Sequence, residues 1–204
     1  MSAFQTYLKL GFFHIFNLQA YDHLVFLLAL CAPYVLADWR RVVALVTSFT
    51  VGHSITLALA TLGFVQYSPK LIEILIPITI LLTCLVNLLQ AGSGQGRSQI
   101  PRRKPLPLVL TVPNVLAAVF GLVHGLGFSS YLRELLGRNS RPVTELLAFN
   151  LGVELGQLLI VSLILALGFV VLRGFRTNRR DWILVTSGAA AGIATVLLLQ
   201  NSSS

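Results

Sequence analysis

Four histidines, His14, His23, His53 and His124, lie in or beside long apolar runs of a 204-residue chain in which only 11% of residues are charged. An ionisable group at bilayer mid-depth costs at least about 2.5 kcal/mol, so those that persist face a bundle interior and mark a site or a pathway. Asp22 is adjacent to His23, and His14 precedes His23 by nine positions. His53 sits in Phe49-Thr50-Val51-Gly52-His53-Ser54-Ile55-Thr56, with Thr50 three residues away on the same helical face. His124 sits in Phe120-Gly121-Leu122-Val123-His124-Gly125-Leu126-Gly127-Phe128. In Phe149-Asn150-Leu151-Gly152-Val153-Glu154-Leu155-Gly156-Gln157, the spacing puts Asn150, Glu154 and Gln157 on one stripe. Imidazoles with carboxylates form a ligand set that suits nickel, zinc, cobalt, copper or iron. The expected ligands are His14, Asp22, His23, His53, His124 and Glu154, with Thr50, Ser54, Asn150 and Gln157 orienting them or lining a path.

Each residue also has a plainer reading. A lone intramembrane histidine packs and hydrogen-bonds, Asp22 caps a helix, and Asn150, Glu154 and Gln157 bond between helices. Together, in a chain this poor in charge, they point to one shared site.

The elements that must carry these residues follow from hydropathy. With 55% hydrophobic residues and a mean hydropathy of +0.81, the chain lacks the polar surface of a soluble domain, which carries roughly 25% charged residues. A span needs about 20 mostly apolar residues. Six segments qualify: Tyr21 to Ala37, Val42 to Tyr67, Leu71 to Ala91, Leu106 to Leu132, Val143 to Leu172 and Trp182 to Gln200. The stretch Phe4 to Phe16 is too short to cross and reads as an interfacial or re-entrant helix. Lys9 within it, and the polar residues after it, argue against a secretory signal. The predicted fold is an all-α, polytopic membrane bundle of six spans and a short N-terminal helix, forming one integral membrane domain.

Lys and Arg set the orientation. Arg40, Arg41, Arg97, Arg102, Arg103, Lys104, Arg173, Arg176, Arg179 and Arg180 fall in three loops on one side, against Lys9, Lys70, Arg133, Arg138 and Arg141 on the other. Both termini are thus expected outside. The net charge of +8 reflects this topology, and with the basic residues between apolar runs no nucleic-acid partner is implied. Residues 92–107, rich in Gly, Ser and Pro, read as a cytoplasmic linker between two three-helix halves, and no internal repeat is evident. Pro33, Pro77 and Pro113 fall within spans, where proline bends helices. Cys31 and Cys84 read as buried thiols. Glu73 and Glu145 read as interfacial.

Gly11-Phe12-Phe13-His14-Ile15 through Ala20-Tyr21-Asp22-His23-Leu24, together with the His53, His124 and Glu154 motifs quoted above, resembles the HupE/UreJ family over nearly the whole chain. The resemblance implies a bacterial inner-membrane protein of hydrogenase and urease systems, a permease whose cargo is nickel. It places His14, Asp22 and His23 on the family's His/Asp-His motif and His124 on its His-Gly motif. Nickel-linked members set the first His closer to the Asp than the seven residues between His14 and Asp22 here. They also carry a His and a Glu where this chain has Phe120 and Gly127. The match is closer to a divergent branch with His-Gly-x-Gly-Phe.

The leading expectation is a permease that captures a divalent metal at the outer face and passes it inward. Nickel is favoured by resemblance, with zinc, cobalt and copper open, and the partners are the lipid bilayer, the ion and possible further copies of the chain. No nucleotide-binding loop is present to couple ATP. The runner-up is an intramembrane zinc hydrolase with Glu154 or Ser54 as proton carrier. A structural subunit without a ligand is the third.

Overall fold

The computed structural model describes residues 2–17, 21–92, 111–136 and 142–203. Every regular element among them is helical: α1 (Ala3–His14), α2 (Asp22–Cys31), a 3-10 turn (Leu36–Asp38), α3 (Trp39–Thr61), α4 (Pro69–Gly92), α5 (Val112–Gly127), α6 (Ser129–Leu136), α7 (Pro142–Phe169) and α8 (Arg179–Ser203). The expected linker at 92–107 lies, except for Gly92, outside the described residues.

Among the described residues, four segments are long and apolar enough to cross a membrane: Leu36–Thr61, Pro69–Gly92, Pro142–Gly174 and Arg179–Ser203. A fifth crossing arises if α5 and α6, bent by 51° at Phe128, act as one broken span. The expected first span, Tyr21 to Ala37, differs. Its helix is only 10 residues long, about 15 Å at 1.5 Å per residue, and ends before Pro33, which has no N–H to continue the ladder. α2 is apolar because it is enclosed by protein, with Val25, Phe26, Leu27, Ala29 and Cys31 all buried. A half-length helix is tolerated at membrane depth when its ends meet protein. Here the Ala29 carbonyl accepts a bond from Asn87 Nδ2 at 2.8 Å. Pro113 lies in the first turn of α5, where a missing N–H costs no helical bond.

α7 shows why amphipathicity fails as a guide here. Leu147, Leu151, Leu155, Leu159, Leu163 and Leu167 form an exposed ridge at every fourth position. The opposite face buries Phe149, Gly152, Val153, Gly156 and Gln157. Lipid is the solvent, so the outer face is as apolar as the inner, and the inner is distinguished by small and polar side chains.

Glycines set the closest crossings. A Cβ on Gly52 would overlap the Ala118 carbonyl, one on Gly121 that of Phe49, and one on Gly125 that of His53, so α3 and α5 meet backbone to backbone. Gly11, Gly152 and Gly156 do the same against Phe149, Leu8 and Phe12, joining α1 to α7. Both pairs run parallel. The α4–α8 pair runs antiparallel, tied by Asn87 Nδ2 to Ser187 Oγ at 3.2 Å and by Asn201 Nδ2 to the Glu73 carbonyl at 2.7 Å.

The bundle has two distinct ends. At the basic end Arg179 bonds the Pro33 carbonyl, Arg41 pairs with Asp38 at 3.5 Å, and Trp182 and Ile183 pack with Ala91. At the far end Tyr67 Oη meets Ser129 Oγ at 2.7 Å, Arg133 bonds the Ala60 carbonyl, and Tyr7 Oη donates to the Leu135 carbonyl at 3.2 Å.

Candidate metal centre

The four histidines converge although they come from four helices. His14 ends α1, His23 opens α2, His53 lies midway along α3, and His124 lies one turn from the end of α5. The His23 ring is the hub, with its centroid 5.0 Å from His14, 5.3 Å from His124 and 6.1 Å from His53. The glycine crossings make this possible: Gly121 and Gly125 bring α5 onto α3 beside His53, and Gly11 brings α1 onto α7. His14 therefore reaches the Asp22–His23 pair, as the sequence allows. Residues 18–20, between α1 and α2, lie outside the described residues.

Two of the imidazoles are already oriented. Asp22 Oδ1 lies 2.9 Å from His23 Nδ1 and also accepts the His23 backbone N–H at 2.8 Å. His124 Nδ1 lies 2.9 Å from the Phe120 carbonyl, to which it can only donate. In both rings the proton is thus held on Nδ1, and Nε2 is left with a lone pair. The Nε2 atoms of His14, His23 and His124, and both ring nitrogens of His53, are buried without a protein hydrogen-bond partner. Buried nitrogens without partners are costly, and four such rings at one place, two of them already held from behind by Asp22 and the Phe120 carbonyl, is the pattern of a ligand set.

One nitrogen each from His14, His23 and His53 lies within 4.8 Å of the others. Nitrogens around an ion bound at about 2.0–2.1 Å stand about 3.4 Å apart. An approach of up to about 1.4 Å, within reach of ring rotation, closes the set. The donors therefore fit a borderline transition ion. Aromatic rings wall them in. Phe128 stacks on His14 at 4.0 Å, Phe26 lies 5.1 Å from His124, and Phe49 lies 5.2 Å from His124.

A cavity of about 330 Å³ leads to this group, lined by Tyr21, Glu73, Ile76, Leu197 and Asn201 together with His14, Asp22, His23 and His124. It lies towards the far end. His53, fully buried, sits beyond its lining. Sequence reasoning missed Glu73, Tyr21, Asn201 and the aromatic wall. Glu73 stands at the mouth because α4 begins where α8 ends, a pairing that no local pattern reveals. Glu145 is buried and its Oε2 has no partner.

The remaining predicted residues form a separate layer. Glu154 is outside the histidine group and accepts from Thr47 Oγ1 at 2.8 Å. Thr50 Oγ1 donates to Gln157 Oε1 at 2.8 Å, and Ser54 Oγ bonds back to the Thr50 carbonyl at 2.7 Å. Asn150 differs: its Nδ2 donates to the Leu146 carbonyl at 2.9 Å, and its side chain stands next to His53 with Oδ1 left unbonded. Nearer the basic end, Thr111 Oγ1 donates to Asn114 Oδ1 at 2.8 Å and Asn114 Nδ2 to Ser48 Oγ at 3.3 Å.

A search of curated proteins and a search of solved structures each returned no match. The model of the family described as HupE / UreJ protein matches residues 1–201. That match takes in every helix of the bundle and all four histidines at its centre, and the chain belongs to the HupE/UreJ family.

Proposed function

We propose that this protein is a permease that takes up a divalent transition ion, with nickel as the favoured cargo, through the far-end cavity. The ion is held by His14, His23, His53 and His124 and passed to the basic end. The observation that supports the reading is the convergence of four imidazoles with unpartnered nitrogens, three of them lining one cavity and His53 buried behind it. Membership of a family of membrane proteins that handle nickel or cobalt supports the same reading. Basic loops stay in the cytoplasm, so the far end faces outward, with both termini, in a bacterial inner membrane.

Asp22 acts here by orienting His23. Glu154, with Thr47, Thr50 and Gln157, forms polar rungs between α3 and α7 below the histidines and gives the ion oxygen partners on its way inward. The hydrolase reading gains nothing from this arrangement, because its proton carriers are occupied: Glu154 by Thr47, and Ser54 by the Thr50 carbonyl.

The test is cellular accumulation of nickel, cobalt, zinc and copper, with titration of each ion into purified protein. His23→Ala is expected to abolish both uptake and binding of the cognate ion, and His124→Ala to weaken both at least tenfold. Unchanged accumulation of all four metals in both variants would exclude transport.

A further inference from the structure

The two glycine crossings have the same register. In one, Gly52 of α3 faces Ala118 and Leu122 of α5, and Gly121 faces Phe49. In the other, Gly152 of α7 faces Leu8 and Phe12 of α1, and Gly11 faces Phe149. Each contact of the first becomes a contact of the second when α3 positions are raised by 100 and α5 positions lowered by 110. The motifs follow the same correspondence. Phe49-x-x-Gly52 matches Phe149-x-x-Gly152, and Gly11-x-x-His14 matches Gly121-x-x-His124.

Element order agrees as well. A helix, a short helix and two long helices make up α1 to α4, and the same series makes up α5 to α8. The senses are opposite, since α3 starts at the basic end where α7 finishes, and α4 and α8 are antiparallel. Among the described residues, the units differ in that α4 packs on α5 with no comparable packing of α8 on α1, and in their short helices. α6 bonds the end of α3 at the far end, whereas α2 is inserted beside α4, α7 and α8 and carries Asp22 and His23.

In transporters built from inverted repeats, the site lies at the repeat interface, and access alternates as one repeat moves against the other. Here the far-end mouth lies between the start of α4, at Glu73, and the end of α8, at Leu197 and Asn201. Inversion exchanges these for the start of α8 and the end of α4, at the basic end. That crevice is shut: Trp182 and Ile183 pack on Ala91, and Asn87 bonds both Ser187 and the Ala29 carbonyl.

We propose that residues 3–92 and 112–203 are two copies of one four-helix unit in opposite membrane sense. Asn87, Ser187 and Trp182 are then the closure of a second mouth, through which the cation leaves at the basic end. This rests on the permease reading. His14 and His124 become equivalent positions of the two copies, one from each, flanking the His23 of the inserted helix. Interhelical hydrogen bonds in membranes are individually weak, which suits a closure that must open.

The test uses thiol accessibility in oriented vesicles, in the full chain with Cys31→Ala and Cys84→Ala. A membrane-impermeant methanethiosulfonate is applied to each side of Leu197→Cys, Ser187→Cys and Ala91→Cys. Leu197→Cys is expected to react from the far side, and Ser187→Cys and Ala91→Cys from the basic side. Bridging Glu73→Cys to Asn201→Cys with a bifunctional maleimide should raise basic-side labelling at Ala91→Cys at least tenfold. Inertness of both basic-end reporters, bridged and unbridged, overturns the second mouth. Nickel titration of the same vesicles separates the two ideas. Bound nickel with inert reporters leaves the metal site standing without the mouth, and alternating reporters without nickel binding leave the mouth without the metal.

Discussion

The carboxylate of Asp22 holds the Nδ1 side of His23 at 2.9 Å and leaves the opposite nitrogen of the hub imidazole buried without a hydrogen-bond partner, in a ring grouped with His14 and His53. Carboxylates in this position fix the tautomer and raise ligand basicity, and their loss typically costs 10–100-fold in metal affinity. Asp22→Asn is therefore expected to weaken nickel binding by about that factor while leaving the stoichiometry unchanged. Isothermal titration of purified protein reads both quantities, and a changed stoichiometry would instead make Asp22 a ligand.

His53 has two buried nitrogens and no protein partner for either. A buried unsatisfied polar group costs about 1–3 kcal/mol. His53→Leu should thus raise the melting temperature of the metal-free protein and shrink the further rise caused by nickel. Thermal unfolding in detergent, with and without nickel sulfate, tests this. A lower metal-free melting temperature with the nickel shift intact would make His53 a packing residue.

Glu154 lies outside the histidine group and is held by Thr47. Glu154→Gln keeps an oxygen for that bond but removes the charge. Nickel affinity is expected to stay within about twofold, whereas uptake should fall at least tenfold. A parallel loss of affinity would move Glu154 into the binding site.

The glycines divide into two kinds. Gly52→Ala and Gly121→Ala would drive a methyl group into backbone carbonyls, whereas Gly188 and Gly192 have open space where a Cβ would stand. Overpacking costs typically 1–3 kcal/mol or more when backbone must move, and helical Gly→Ala in open space gains up to about 1 kcal/mol. The first pair should lower the melting temperature by several degrees and disturb nickel binding. The second pair should be neutral or stabilising in the same scan.

The histidines and Asp22 are legible from sequence because a titratable group in an apolar run is conspicuous by itself. The length of α2 is not, since an enclosed helix stopped by Pro33 and a lipid-facing span have the same composition over their first ten residues. Glu73 reads as an interfacial carboxylate until α8 is placed beside α4. The matched crossings escape notice because their offsets differ, 100 on one helix pair and 110 on the other, and the shared residues are one Phe-x-x-Gly and one Gly-x-x-His. No single period aligns them. The register of backbone against backbone does.

The placement of α2 bears on how the protein is made. A ten-residue apolar helix is too short to partition into lipid during synthesis, and the helices that shelter it, α4, α7 and α8, all emerge from the ribosome after it. Asp22 and His23 must therefore wait near the membrane surface until α8 is inserted. The histidine group is thus completed only at the close of biogenesis.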